Sequence, residues 1–191
     1  DCDEDAEASP IHGRFPMRSI SLKGATGTTA IELGFSFSSI GQYLSGKRLA
    51  MITDSTVYNL FRENFPRGQV AVLGSGEPAK NLDTVREVYQ FFLSQELDRS
   101  SCVVAIGGGV ICDIAGFCAS TYLRGLSFGY VPTTLLSQVD ASVGGKNGVN
   151  FRGYKNMIGT FNQPQFVLCD FKLLKTLPER EVRNGLAEVI K

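Results

Sequence analysis

The chain has 191 residues, of which 43% are hydrophobic, and its 19 basic residues are balanced by 19 acidic residues. This length and composition are sufficient for one well-buried globular domain. The balanced charge argues against the broad positive surface of a nucleic-acid-binding protein. Binding is therefore expected to depend on local sites.

The five cysteines fit neither a disulfide framework nor a zinc ribbon, and they predict reduced thiols in a cytoplasmic protein. No apolar run approaches the ~20 residues of a membrane span. The acidic residues 1–5 are the opposite of a signal peptide. We therefore expect no membrane partner.

The amino-terminal part predicts a leader followed by a hairpin. Residues 1–14 are polar and acidic and predict a disordered leader, which contains the single histidine, His12, as a surface residue. Residues 18–22 and 28–33 alternate in polarity around a glycine-containing turn and predict a β-hairpin. Residues 36–44 predict a short helix.

Strand and helix patterns then alternate, which predicts an α/β fold: a Rossmann-like parallel sheet flanked by helices. The predicted strands are residues 49–53, 70–73, 102–106, 126–131 and 166–169, and the predicted helices are residues 55–65, 81–97 and 110–122. Asn81 predicts the cap of the second helix. The apolar face of that helix is predicted to contain Leu82, Val85, Tyr89, Phe92, Leu93 and Leu97.

Four loops follow predicted strands, beginning at Asp54, Ser75, Gly107 and Thr133. Parallel strands bring such loops to one sheet edge, where ligands bind in this class of fold. Three consecutive glycines, 107–109, lie where a strand meets a helix, so the free N–H groups there predict an anion site for a diphosphate. A tight structural turn is the alternative interpretation.

The carboxyl-terminal third predicts functional loops and a final helix. Residues 140–150 and 154–159 are rich in glycine and polar residues and predict loops. Residues 176–179 predict a capping box that opens a helix still running at Lys191. A helix interrupted there predicts a truncated chain.

Five blocks in order give the chain a family resemblance: residues 107–117, 132–146, 155–159, 174–181 and 185–191. They resemble the 3-dehydroquinate synthase family of NAD-dependent sugar phosphate cyclases, from about residue 47 onward. The resemblance implies an NAD-binding domain over residues 15–175, and it implies that residues 176–191 begin a helical metal and substrate domain.

The resemblance also implies the chemistry. The family converts 3-deoxy-D-arabino-heptulosonate 7-phosphate to 3-dehydroquinate and phosphate in the shikimate pathway. NAD transiently oxidises a ring hydroxyl, phosphate leaves, the carbonyl is reduced again, and ring opening with aldol closure follows. The implied cofactors are NAD and Zn²⁺ or Co²⁺, and the implied assembly is a homodimer of the full-length protein.

The cofactor contacts implied by the resemblance lie mainly on the strand-end loops. They are Asp54, Ser75, Gly76, Glu77, Lys80, Gly108, Gly109, Val110, Ile111, Cys112, Asp113, Thr133, Thr134, Lys146, Lys155, Leu173, Leu174, Lys175 and Thr176. Cys112 replaces a glycine common in the family, and Ser75 stands where the family often has aspartate. Asp54 alternatively serves only as a helix cap, and the threonines only as turn residues.

The substrate-side residues implied by the resemblance are Asp140, Lys146, Lys155, Asn156, Arg124 and Lys191. Ammonium groups neutralise phosphate or a developing oxyanion, and an amide orients a hydroxyl. Solvated lysines, and for Arg124 a helix-terminal cation, are the alternatives. Glu188 matches the family's zinc-ligand glutamate, whose histidine partners belong to the second domain.

Three other functions remain open. A sister sugar phosphate cyclase would use the same NAD cycle on another sugar phosphate. Metal-dependent alcohol and polyol dehydrogenases share the glycine triplet but lack the blocks at 155–159 and 174–178. The isolated chain could also be an NAD-binding module without turnover.

Overall fold

The computed structural model describes residues 17–44 and 46–191, which form a seven-stranded, mostly parallel sheet and a separate two-stranded hairpin. The strands are β1 (Arg18–Gly24), β2 (Gly27–Leu33), β3 (Leu49–Asp54), β4 (Gln69–Leu73), β5 (Cys102–Gly107), β6 (Ser127–Pro132), β7 (Lys146–Phe151), β8 (Tyr154–Phe161) and β9 (Phe166–Cys169). The α-helices are α1 (Ser55–Phe61), α2 (Leu82–Ser94), α3 (Gly109–Thr121) and α4 (Glu179–Ile190).

The large sheet has the strand order β1-β2-β9-β6-β5-β3-β4. β1 is antiparallel to β2, and the other adjacent pairs are parallel. The predicted Rossmann-like α/β fold is therefore confirmed, together with the predicted hairpin of residues 18–33. The predicted domain boundary after residue 175 stays a prediction.

Two hydrophobic cores lie on opposite faces of the sheet because side chains alternate along each strand. On β5, Val103 and Ala105 pack in the core that contains α2 and α3. Cys102, Val104 and Ile106 pack in the other core with Phe37 and Val57. β5 is buried on both faces, which explains its uninterrupted apolar sequence.

Three helix predictions need correction. The helix predicted over residues 55–65 ends at Phe61, and a 3₁₀ turn follows. The helix predicted over residues 81–97 covers Leu82–Ser94; its Asn81 cap is confirmed because the side chain accepts a hydrogen bond from the Thr84 amide. Its predicted apolar face is partly wrong: Leu93 is 65% exposed, whereas Val88 is fully buried.

The loop prediction for residues 140–150 and 154–159 is wrong over most of its length. β7 and β8 form an antiparallel hairpin in which Gly148 pairs with Gly159. A Cβ atom on Gly148 would lie 2.6 Å from the Ile158 carbonyl oxygen. The glycines therefore permit close backbone approach between strands.

The capping box predicted at residues 176–179 is also wrong. Thr176 ends a 3₁₀ segment, and its hydroxyl donates to the Leu173 carbonyl at 3.2 Å. Leu177 is extended because it precedes a proline, and α4 begins after Pro178.

The leader and His12 lie outside the described residues. Within residues 17–44 and 46–191, no helix combines the length and apolar character needed to cross a bilayer.

Candidate functional site

The strand-end loops meet at one edge of the sheet, as predicted. Asp54 is paired in register with Leu73, and Gly107 is paired with Pro132. The Ser75 hydroxyl donates to the Asp54 carboxylate at 3.2 Å, which joins two of the loops directly. This edge brings the predicted cofactor residues of β3, β4, β5 and β6 together.

The turn from β5 into α3 leaves its backbone donors open. Gly108 is the N-cap residue, with φ −74° and ψ −176°, and no side chain caps the helix. A Cβ on Gly109 would lie 3.1 Å from the Cβ of Ala141. Packing requires a glycine at position 107, since a Cβ added there would lie 2.7 Å from the Cβ of Ile111. The uncapped N–H groups and helix dipole suit an anion.

Cys112 faces the core. The side chain is fully buried in the cluster between α3 and the sheet, with its sulfur 3.9 Å from the Gly107 carbonyl oxygen. Burial raises the pKa of this thiol. The departure from the family's glycine therefore adds bulk to the core.

Asp54 and Thr134 both have structural partners. One oxygen of Asp54 accepts the amides of Thr56 and Val57 at 2.8 and 3.1 Å, so Asp54 caps α1. The Thr134 hydroxyl donates to Ser137 Oγ at 2.8 Å and stabilises the turn after β6. Roles of Asp54, Thr133 and Thr134 in cofactor binding stay predictions.

A buried ion pair underlies the loops. Lys80 is 5% exposed, and its ammonium group bonds to the carboxylate of Asp113. It also donates a hydrogen bond to Asn156 Oδ1 at 2.6 Å. Burial raises the pKa of the Asp113 carboxyl, and the neighbouring Lys80 opposes that rise. This pair connects α3 and the hairpin with the loop of residues 75–80, which is called the cofactor loop because its residues are predicted cofactor contacts.

Four predicted site residues line one cleft of about 570 Å³: Asp113, Asp140, Lys146 and Asn156. The rest of its wall consists of Ala141, Val143, Gly144, Asn147, Gly148, Met157, Gly159, Thr160 and Phe161. Within the described part of the chain, the ammonium group of Lys146 has no ion-pair partner, and the buried Thr160 hydroxyl has no hydrogen-bond partner. An anionic ligand in the cleft would neutralise the Lys146 ammonium group.

Two asparagines of the hairpin, Asn147 and Asn150, were not predicted as site residues from the sequence. Buried Asn147 accepts a hydrogen bond from the Tyr130 hydroxyl, and it donates to the carbonyls of Gly145 and Asn162 at 3.1 and 2.9 Å. Asn150 connects the hairpin to Glu77. Their place in a polar segment rich in asparagine was the available signal, but the partners are distant in sequence.

Other predicted residues lie outside the cleft wall. Lys155 is exposed on β8, and Lys175 is exposed in the 3₁₀ segment Phe171–Thr176. Arg124 follows the carboxyl end of α3, which lies about 20 Å from its amino end. It has a left-handed backbone with φ 66°. Their ligand roles stay predictions.

At the end of α4, the half-buried Glu188 carboxylate pairs with the exposed Lys191 ammonium group at 3.3 Å. Within residues 17–44 and 46–191, no group of three or more metal-ligating side chains comes together. One carboxylate is too few ligands for a zinc centre, which usually has three or four protein ligands. The described residues by themselves therefore do not fit a divalent metal.

The family follows from sequence comparison. The family model described as 3-dehydroquinate synthase N-terminal matches residues 70–184. The chain belongs to the 3-dehydroquinate synthase family. It is 46% identical to 3-dehydroquinate synthase of Acetivibrio thermocellus, over 84% of this chain and 48% of that protein. It is 48% identical to the Desulforamulus reducens synthase, over 80% of this chain and 46% of that protein.

The chain thus spans about half the length of the curated 3-dehydroquinate synthases that it matches. Among solved structures, it is similar to 2-deoxy-scyllo-inosose synthase complexed with carbaglucose-6-phosphate, NAD⁺ and Co²⁺, with 28% identity and a TM-score of 0.81 over 91% of this chain and 50% of that chain. It is also similar to 2-epi-5-epi-valiolone synthase from Streptomyces hygroscopicus with NAD⁺ and Zn²⁺ bound. The identity is 34% and the TM-score is 0.78, over 90% of this chain and 50% of that chain.

More distant structures share only the fold. A probable glycerol dehydrogenase from Sinorhizobium meliloti is 19% identical with a TM-score of 0.64, over 81% of this chain and 42% of that chain. The polyol dehydrogenases considered from the sequence therefore share the fold of this chain.

Proposed function

We propose that this chain is the cofactor-binding part of a 3-dehydroquinate synthase that converts 3-deoxy-D-arabino-heptulosonate 7-phosphate to 3-dehydroquinate and phosphate. The observation that carries the proposal is the position of the cleft: Asp113 lies both on α3, which begins at the uncapped Gly108 turn, and in the wall that contains Lys146. An anionic cofactor and a phosphorylated substrate would thus bind to adjoining surfaces.

The residues fit NAD at this edge. The open N–H groups at Gly108 and Gly109 would bind the diphosphate, and the Glu77 carboxylate would accept hydrogen bonds from ribose hydroxyls. When bound, NAD supplies a reversible hydride acceptor for one ring hydroxyl of the substrate. This chemistry would acidify the C–H bond next to that ring carbon and so permit the elimination of phosphate.

The chain's own groups position the substrate. The exposed ammonium group of Lys146 would neutralise phosphate or a developing oxyanion. Asn156 uses its side-chain oxygen to accept from Lys80, so its Nδ2 group would be the donor to a substrate oxygen. Asp140 adds a carboxylate that can accept from a substrate hydroxyl.

Several further properties are proposed for the whole protein. A divalent metal, Zn²⁺ or Co²⁺, would need ligands besides Glu188. We propose that the whole protein is a homodimer in the cytoplasm. The cytoplasmic location is supported by Cys102, Cys112, Cys118 and Cys169, which are free thiols. The isolated chain is expected to bind NAD and to lack cyclase activity.

A sister cyclase is the second candidate, favoured by the structural similarity to 2-deoxy-scyllo-inosose synthase. The test measures phosphate release by the whole protein with NAD and either the heptulosonate phosphate or a hexose 6-phosphate. Turnover of the heptulosonate phosphate with formation of 3-dehydroquinate supports the first proposal. Turnover of only the hexose phosphate would assign the sister activity, and turnover by the isolated 191-residue chain would refute the expected inactivity.

A further inference from the structure

We propose that Asn150 is a positioning residue that holds the Glu77 carboxylate and the Asn156 amide in one fixed arrangement. The inference deepens the proposed function and rests on it for the ligand roles of Glu77 and Asn156. Asn150 lies outside the set of residues that line the cleft, so it would act through its two neighbours.

Asn150 makes three hydrogen bonds, two to the loop that contains Glu77 and Lys80 and one to β8. Its backbone amide donates to the Lys80 carbonyl at 2.9 Å. Its side-chain Nδ2 donates to Glu77 Oε1 at 2.7 Å, and its Oδ1 accepts the backbone amide of Asn156 at 2.9 Å. Because an ionised carboxylate only accepts and a backbone amide only donates, these partners determine the orientation of the Asn150 amide.

The hairpin irregularity makes these bonds possible. The register of β7 and β8 shifts between Val149 and Phe151, with Asn150 in the shifted position. Such irregularities free a residue from the strand ladder and redirect its side chain. The backbone amide of Asn150 is thereby available to the cofactor loop that precedes α2.

Asn156 shows why positioning is needed. Its backbone is left-handed, with φ 53°, a conformation that is uncommon for residues other than glycine. Asn150 holds its backbone amide, while Lys80 holds its side-chain oxygen. With the side-chain oxygen occupied, the Asn156 Nδ2 donor is directed to a ligand, and this direction depends on both contacts.

The contact with Glu77 extends the same arrangement to the cofactor loop. Asn150 occupies Oε1 of Glu77 and fixes the carboxylate, which leaves Oε2 for a ribose hydroxyl. The hairpin wall and the cofactor loop would consequently form one unit. A change at Asn150 should therefore reduce both NAD affinity and turnover.

The test is a double-mutant cycle in the whole protein with Asn150→Asp, Glu77→Gln and the double variant. Asn150→Asp keeps the oxygen that accepts from the Asn156 amide, but it places the new carboxylate against the carboxylate of Glu77. In the Glu77→Gln background, the glutamine amide can donate to the new carboxylate, which restores the hydrogen bond with its direction reversed. Asn59→Asp on the exposed surface of α1 is the matched control.

We expect Asn150→Asp to lower kcat/KM and NAD affinity about tenfold in the wild-type background and less than about twofold in the Glu77→Gln background. Calorimetry measures NAD affinity independently of turnover. An equal loss in both backgrounds, or no loss in either, would overturn the inference. Melting temperatures identify any variant that has lost its fold.

The proposed function and the inference fail in distinguishable ways. If the wild-type protein binds NAD without converting the heptulosonate phosphate, the substrate assignment fails. The double-mutant cycle in NAD affinity still decides the inference. If NAD does not bind, hydrogen exchange at the Asn156 amide decides it. Faster exchange in Asn150→Ala, with wild-type exchange in the double variant, supports the positioning role, and unchanged exchange in Asn150→Ala refutes it.

Discussion

The ammonium group of Lys80 and the carboxylate of Asp113 form an ion pair in which the lysine side chain is only 6% exposed. The pair joins the loop before α2 to the first half of α3, and the same lysine reaches Asn156 on the hairpin. A buried pair of this kind adds little net stability, but removal of one partner leaves an uncompensated charge.

Replacement of Lys80 by methionine is therefore expected to destabilise the protein by about 3 kcal/mol at pH 8. The variant's Asp113 carboxyl has a pKa raised by burial with no opposing cation, so its native state binds a proton more readily than the unfolded chain. The loss of stability should be complete at pH values above the pKa of Asp113 in the folded variant. It should become smaller as the pH falls toward about 4. Urea unfolding at pH 8 and pH 5 measures this difference. Lys23→Met on exposed β1 is the control, and a pH-independent loss would contradict the explanation.

Gly116→Ala is expected to lower the free energy of unfolding by about 2 kcal/mol, although alanine normally stabilises a helix relative to glycine. An added Cβ would collide with the Tyr130 hydroxyl and Asn147 Oδ1, whose hydrogen bond joins β6 to the hairpin. Gly41→Ala is the matched control, since nothing lies within 4 Å of its added Cβ. Chemical denaturation of both variants tests the prediction, and equal effects would refute it.

The described cysteines are expected to resist alkylation in the native protein. Burial raises the pKa of Cys102 to about 11 and that of Cys169 to about 12, and it raises those of Cys112 and Cys118 as well. At pH 8, iodoacetamide should modify these thiols on the order of 100-fold more slowly than in the unfolded chain, because few are ionised. Mass spectrometry of timed samples measures each rate. Rapid native labelling of Cys112 would show that α3 opens readily.

Lys146→Ala is expected to abolish turnover in the whole protein while NAD binding persists. The ammonium group lines the cleft and has no ion-pair partner in residues 17–44 and 46–191, so its removal breaks no internal contact between charges. Steady-state kinetics and NAD calorimetry separate the two effects, with Lys23→Ala as the control. A parallel loss of both activities and of melting temperature would show that Lys146 is structural.

The sequence predicted those features that depend on neighbouring residues. The apolar run of β5, the glycine turn and the Asn81 cap each express a local rule, and each was found at the predicted place. The hairpin β7–β8 was missed because glycine and asparagine are weak strand formers. Its strands instead depend on backbone contact between Gly148 and Gly159, which only the pairing reveals.

The sequence predicted which residues belong to the site better than it predicted the contacts between them. Asp113, Asp140, Lys146 and Asn156 were expected to act near the ligand, and they share a cleft. Asn150 was missed because its partner Glu77 is 73 positions away. No local pattern in the sequence indicates that bond.

Helix α3 is buried on almost every side, with eight residues from Ile111 to Ala119 enclosed, whereas β8 is largely exposed. The backbone donors at Gly108 therefore belong to a rigid unit, and a diphosphate that binds there has little conformational entropy to remove. Ordering the exposed strand around Tyr154 and Met157 has a larger entropic cost. Substitutions of Tyr154 or Met157 should accordingly alter discrimination between sugar substrates more than they alter the initial capture of the diphosphate.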